Sequence, residues 1–264
     1  MTEPPLPLAS RAPLPDRFAV LADIHGNSAA LRAVLADLEA LGDQAPAPGA
    51  VLVLGDHFSG PLDAGGTAEL LLPLSAQALR GNHDRYLLET PPDHLGPSDW
   101  VARAELPAAA FDWLAAQPRG LDFGDVQAWH ATPRADDRYW THHATTEGGV
   151  ALRPPEEMAA QAAGTTAALL LTAHTHLPGL WALPTGQLLL NPGSVGCPAY
   201  RDEAPMPHVV TAGHPLASYA LVTRRGMGWA VAHRHVPYDS AEMAARARDH
   251  GREDWARAVE LGSL

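Results

Sequence analysis

Phe18-Ala19-Val20-Leu21-Ala22-Asp23-Ile24-His25-Gly26-Asn27 is the stretch on which the fold turns. Five apolar residues in a row read as a strand buried on both faces, and the run stops at a carboxylate and an imidazole two positions apart. Asn27 or Ser28 can cap a helix whose apolar residues fall at Leu31, Val34, Leu35, Leu38 and Leu41, with Gly42 as its stop. Residues 51–54 read as a second buried strand and 76–79 as a third, with a helix over 68–72 between them. Strand-helix-strand-helix-strand order implies parallel strands joined by right-handed crossovers. Ligands of such sheets collect beyond the carboxyl ends of the strands.

Four more polar clusters end apolar runs: Gly55-Asp56, Gly81-Asn82-His83-Asp84, Trp129-His130 and Ala173-His174-Thr175-His176. Further strands are expected at 125–129, 168–171, 188–190, 219–223 and 229–235. The last two are joined by a Gly-containing turn at 224–228, and a charged, Ala-rich helix is expected over 240–260. Residues 85–120, with one expected helix at 108–116, read as a crossover between two halves, a small lid being the alternative. Residues 1–16 read as a Pro-rich tail or surface strap, and 17–264 as a single domain.

The clusters carry the chemistry. In extended backbone, residues i and i+2 project to one side, so Asp23 and His25 can address one ion, and His174 and His176 repeat the spacing. Asp56 has two oxygens and can bridge two ions roughly 3.5–4 Å apart. Asn82 offers a neutral amide oxygen, and His130 closes another strand. His83 suits acid-base work, because imidazole titrates near neutrality. Asp84 can orient an imidazole from outside the ligand set or cap the helix that follows. Each residue alone has an ordinary structural use. Together, so many polar groups at buried strand ends would be costly to leave unpaired, and one binuclear site accounts for them all.

Composition narrows the partners. All 18 fixed cations are Arg, and the net charge of −12 argues against non-specific binding to nucleic acid or an anionic membrane. Bound divalent ions would reverse that sign locally, so a phosphorylated substrate remains compatible. Cys197 stands alone, which fits a reducing compartment. The opening lacks the charged and apolar regions of a signal peptide, and no apolar run approaches the roughly 20 residues a membrane span needs. A cytoplasmic location follows as the default. Arg85, Arg134 and Arg138, near ligand clusters in sequence, are the candidate phosphate contacts. His142 and His143 read as a solvated loop rather than a pocket wall, and Ser194 as a turn residue. Composition leaves room for a homo-oligomer.

The ordered set D-x-H, G-D, G-N-H-D, H and H-x-H, from Asp23 to His176, resembles the calcineurin-like metallophosphoesterase superfamily. Asn191-Pro192-Gly193-Ser194-Val195-Gly196, Tyr219-Ala220-Leu221 and Val236-Pro237-Tyr238-Asp239 resemble its compact bacterial and archaeal branch. The resemblance implies an α/β/β/α four-layer sandwich with a binuclear metal site at the strand ends. It assigns one ion to Asp23, His25, Asp56 and His176, and the other to Asp56, Asn82, His130 and His174. His83 would protonate the leaving oxygen or hold a phosphoryl oxygen. Two divalent ions are implied, manganese first, with iron, zinc, cobalt or nickel also suited to such donors.

The implied reaction is hydrolysis of a phosphodiester or small phosphorylated metabolite by metal-bound water or hydroxide. A phosphomonoesterase or protein phosphatase is the rival enzyme. A non-catalytic scaffold, like the retromer subunit of this fold, is the rival of another class; the complete ligand set argues against it. The chain departs from the family pattern at Ala131 and Ala173, where Gly is usual, and neither change removes a ligand. Ser59 stands where protein phosphatases carry the Asp that orients the catalytic His, which weighs against that activity.

Overall fold

Alternation along the first long strand sets the layers. In Arg17–Leu21, Phe18 and Val20 face one way and Ala19 and Leu21 the other, all fully buried. Phe18 and Val20 join Leu52, Leu121, Ala128, Leu169, Leu171 and Leu190 in a core between two sheets. Ala19 and Leu21 join Leu31, Val34, Leu71 and Leu114 in a second core beneath helices Ser28–Glu39, Ala64–Leu71 and Ala108–Ala116. On the far side, Leu170, Leu189 and Trp129 turn outward against Met158 of helix Pro155–Gln161. Each such Leu, Val or Phe contributes about 1.5–3 kcal/mol by leaving water. The result is the α/β/β/α sandwich. The computed structural model describes residues 4–264; residues 1–3 of the Pro-rich opening lie outside the described residues.

Arg17–Leu21, Val51–Val53 and Ala76–Ala78 run parallel, and the antiparallel hairpin Ala217–Arg225 and Gly228–Val236 extends their sheet. The other sheet runs in the order Ala9–Ser10, Gly120–Asp122, Val126–Trp129, Leu169–Leu171, Leu188–Asn191, Gly179–Ala182. The opening segment acts as a strap: Ala9–Ser10 pairs with Gly120–Asp122, and the Leu6 N–H donates to Pro133 O at 2.7 Å. Among the described residues, no helix is long and apolar enough to cross a membrane.

Several expectations need correction. The helix capped by Asn27 ends at Glu39, short of Gly42, which instead opens the short turn Gly42–Gln44. The single closing helix is two, Ala241–Asp249 and Glu253–Leu261. Gly251, at φ +71°, takes the left-handed conformation there, and the Arg252 N–H reaches back to Ala247 O at 2.8 Å. That hydrogen bond closes the first helix and turns the chain. Between residues 85 and 120 the chain does cross from one sheet to the other, but it carries Pro97–Glu105 besides the expected helix, and Asn82–Glu89 precedes both. His142 and His143 belong to a short ribbon, His142–Ala144 against Val150–Leu152, rather than a solvated loop.

Two strand ends are held together by one carboxylate. Asp84, fully buried at the third position of helix Asn82–Glu89, accepts from Asp56 N at 2.8 Å, His57 N at 3.1 Å and Gly81 N at 2.8 Å. Its Oδ2 also meets His57 Nδ1 at 2.9 Å. So Asp84 both caps its helix and orients an imidazole, that of His57. Glycines allow the approach. A Cβ on Gly81 would overlap the Asp56 carboxylate, and one on Gly55 (φ +93°) would strike the Gly81 backbone. Asp84→Ala leaves several buried donors without an acceptor, at about 1–3 kcal/mol each. We expect a loss of about 3–5 kcal/mol in chemical denaturation; a loss below about 1 kcal/mol would exclude the clamp.

Candidate metal centre

All five clusters lie at the carboxyl ends of strands: Asp23 follows Arg17–Leu21, Asp56 follows Val51–Val53, and Asn82 follows Ala76–Ala78. His130 and His174 follow the parallel pair Val126–Trp129 and Leu169–Leu171 in the other sheet. The i, i+2 pairs converge as the spacing suggested, but not through extended backbone. Asp23, His25, Asp56, His174 and His176 all take positive φ, at +52°, +51°, +54°, +66° and +59°. Left-handed conformation costs a non-glycine residue roughly 1–2 kcal/mol, and strain of this kind gathers where geometry serves a ligand.

Asp23, His25 and His176 form one group whose donor atoms lie within 4.8 Å of one another. The ring of His25 is fixed by Nδ1 on Ser59 O at 2.8 Å, and that of His176 by Nδ1 on Cys197 O at 2.6 Å. A carbonyl can only accept, so each Nδ1 donates, and in the neutral rings each Nε2 presents a lone pair. These two Nε2 atoms face one another at 3.2 Å. Burial keeps His25 near pKa 4 and His176 low as well, so no proton is available to join them. Both carboxylate oxygens of Asp23 are buried without a hydrogen bond; the His174 backbone amide approaches but misses hydrogen-bonding geometry. Lone pairs aimed at each other beside an orphaned carboxylate suit a cation.

Asp56, His130 and His174 form the other group. Asp56 Oδ2 lies 3.7 Å from His25 Nε2 and 3.3 Å from His130 Nε2, between the two groups, while its Oδ1 accepts from the His83 N–H at 3.0 Å. His130 Nδ1 donates to Leu54 O at 2.6 Å, and its Nε2 is 3.1 Å from Asn82 Oδ1. All seven candidate ligands thus meet in one place. Burial raises Asp23 well above the usual carboxylate range. Burial would raise Asp56 too, but His130 and His83 beside it hold it well below. His130 is disfavoured as a cation by burial, yet the Asp56 and Asp23 carboxylates lift it to about 10, whereas burial and the His130 charge hold His174 near 3.

His83 stands beside the ligands. Its Nδ1 meets Asp99 Oδ1 at 2.8 Å and Ser59 Oγ at 3.0 Å, which leaves Nε2 as the free ring nitrogen. Burial lowers its basicity, but Asp56 and Asp99 together raise it to about 9. Asp99 was not legible in the sequence, because it comes from helix Pro97–Glu105 with no motif around it. Ser59 therefore does not leave His83 without a carboxylate, and the argument from Ser59 against a phosphatase loses its footing.

The three candidate arginines fare differently. Arg85 forms a bidentate pair with Asp136 at 2.8 Å, and Arg119 joins the same carboxylate at 3.0 Å. Arg134 donates to Gln161 O and Ala163 O, so its guanidinium caps the end of helix Pro155–Gln161 instead of reaching the centre. Arg138 does line a cavity beside the centre, with His143. Arg201 and Arg252, which sequence reading passed over, line another. Ser194 is a turn residue that also donates to Asp23 O at 2.7 Å.

Without metal, the carboxylates around His130 raise its pKa, so it holds a proton that an ion must displace. Metal uptake should therefore release protons and weaken as pH falls below about 10, the value for His130. Calorimetry in buffers of different ionisation enthalpy reads this directly; pH-independent affinity would refute it. Asp56→Ala should deplete both ions; loss of one alone would show that Asp56 serves only that ion, and full occupancy of both by metal analysis would refute the shared assignment.

A family model for calcineurin-like phosphoesterases matches residues 16–178, a span that holds all five clusters. A search of curated proteins returns no match. A metallophosphoesterase structure from Sphaerobacter thermophilus is 22% identical, with TM-score 0.69 over 93% of this chain and 99% of that one. A hypothetical protein from Pyrococcus horikoshii OT3 is 20% identical, with TM-score 0.70 over 94% and 98%. These two likenesses establish the fold. The family match covers more than half of the sequence, and the chain belongs to the calcineurin-like phosphoesterase family.

Proposed function

We propose that this chain hydrolyses phosphoric esters with two divalent ions, manganese first among the candidates, and that its substrate is a phosphodiester or small phosphorylated metabolite. The observation that carries the reading is the Asp56 carboxylate between two donor groups, with Oδ2 at 3.7 Å from His25 and 3.3 Å from His130. Ions bound there would supply charge that lowers the pKa of water and neutralises phosphoryl oxygens. Asp23, His25 and His176 hold one ion, Asn82, His130 and His174 the other, and Asp56 both. His83 gives a proton from Nε2 to the leaving oxygen while Asp99 holds the ring at Nδ1. The lone, buried Cys197 suits the cytoplasm.

The diester preference is supported by the engagement of Arg85, Arg119 and Arg134 with protein groups, which leaves Arg138, Arg153, Arg201 and Arg252 as the arginines that line the cavities at the centre. A terminal monoester phosphate carries more charge than a diester and suits a bidentate Arg clamp. Here Arg85 and Arg119 neutralise Asp136, and Arg134 binds backbone carbonyls. The His83–Asp99 pair and the arginines that line the cavities are the observations that keep a phosphomonoesterase in play.

Metal-loaded protein assayed on bis(p-nitrophenyl) phosphate and on p-nitrophenyl phosphate should favour the diester by about tenfold or more in kcat/KM. The reverse order would make it a monoesterase. Metal binding without turnover of any ester would make it a scaffold. His83→Ala should keep its ions and lose about 10²–10⁴-fold in kcat, least for the best leaving groups. Asp99→Asn should reproduce that leaving-group dependence at smaller size. A loss independent of leaving group would assign His83 to phosphoryl binding.

A further inference from the structure

Two adjoining cavities meet at the centre. The smaller, about 270 Å³, includes the centre itself, with His25, Asp56, Asn82, His174 and His176 in its lining, and extends past His83 to Ser98, Arg252 and Trp255. The larger, about 800 Å³, is lined by Tyr86, Arg138, Tyr139, His143 and Arg153. Asn82, Tyr86, His174 and Asp202 belong to both, so the cavities meet at the second donor group. His83 lines only the smaller one. That asymmetry gives the site a direction.

In displacement at phosphorus the attacking and leaving oxygens lie in line, and the remaining ester group projects to the side. A proton donor must reach the leaving oxygen. If that donor is His83, as proposed above, the leaving group occupies the smaller cavity and the retained group the larger. We propose that the substrate class is an unsymmetrical phosphodiester, in which a small alcohol leaves from a phosphate that keeps a bulkier, ring-bearing group of nucleoside size. Water forms the new P–O bond as the bond to the small alcohol breaks. That alcohol departs with the proton from His83, a proton from the attacking water restores His83, and the products are the alcohol and the monoester of the larger group.

The walls agree with this division. The larger cavity is within the range that holds a drug-sized ligand, the smaller just below it. The nearly buried Tyr139 offers its ring to the larger one alone, and Tyr86 stands where the two meet. His143 Nδ1 and Arg153 Nε have no hydrogen-bond partner in the protein, and after a small turn of either side chain a ring with polar edges would pair them. The smaller cavity is confined by Trp255, whose ring stands 5.8 Å from that of His25, and by Arg252, whose Nη1 donates to Ser98 Oγ at 2.6 Å.

Thymidine 5′-(methyl phosphate) tests the direction, because methanol and the nucleoside 5′-hydroxyl are both primary alcohols of similar leaving ability. Metal-loaded protein should release thymidine 5′-monophosphate and methanol over thymidine and methyl phosphate by about tenfold or more, read by phosphorus NMR. Calorimetry should show thymidine 5′-monophosphate binding more tightly than methyl phosphate, and Arg153→Ala should erode that difference. Mixed or reversed products would overturn the assignment while leaving the phosphodiesterase reading intact. So would failure to cleave this ester by protein that cleaves bis(p-nitrophenyl) phosphate. Inertness toward every ester would remove the underlying reading and this inference together.

Discussion

The carboxylate of Asp84 lies at the junction on which the rest of the site depends. It gathers the backbone amides of Asp56, His57 and Gly81, from two neighbouring strand ends, onto one buried charge. With those amides fixed, the Asp56 side chain has little freedom: Oδ1 takes the His83 N–H, and Oδ2 is left facing His25 and His130. Glycine at 55 and 81 is what allows two strand ends to come so close. His57 completes the arrangement from behind, with its ring 4.9 Å from that of Trp113. The position of Asp56 between the two donor groups is thus set by backbone amides anchored on one buried carboxylate.

Around that junction the protein has assembled groups that repel or strain one another until a cation joins them. Five candidate ligands sit in left-handed backbone. Two imidazole lone pairs face each other, and Asp23 lies buried without a hydrogen bond. Backbone carbonyls hold the rings of His25, His130 and His176 at Nδ1, so every Nε2 points inward. Such an arrangement is unfavourable in an empty apolar interior and favourable around divalent charge. Burial and charge together explain why neighbouring groups titrate in opposite directions, Asp23 upward and Asp56 downward.

The walls of the cleft come from parts of the chain remote from the ligand clusters. Helix Pro97–Glu105 supplies Asp99 and Ser98, the turn at Gly251 delivers Arg252 and Trp255, and strand Ala199–Asp202 delivers Tyr200 and Arg201. Tyr200 and Tyr139 share a hydrogen bond of 2.7 Å while their rings lie against His176 and His174 respectively. The ligand rings are therefore backed by packing as well as by hydrogen bonds. The candidate ligands sit on the strand ends, and the cleft around them is completed by these remote elements.

The sequence by itself determined the buried strands, the parallel order of the first three, and the polar residues that cluster as candidate ligands. Those features are local: apolar runs such as 18–22 and 51–54 end in polar residues that have no partner nearby in sequence. The sandwich was legible through the family resemblance, and its double layer is written in the alternation of Phe18 and Val20 against Ala19 and Leu21. Only the tertiary structure decided that Asp99 reaches His83, that Asp84 serves His57, and that Asp136 neutralises Arg85. Those pairs are separated by 16, 27 and 51 residues and follow no period. Their partners are set by how helices cross the sheets and where a turn falls. A local pattern fixes which face of a strand is buried; a contact between distant elements exists only once the layers have packed.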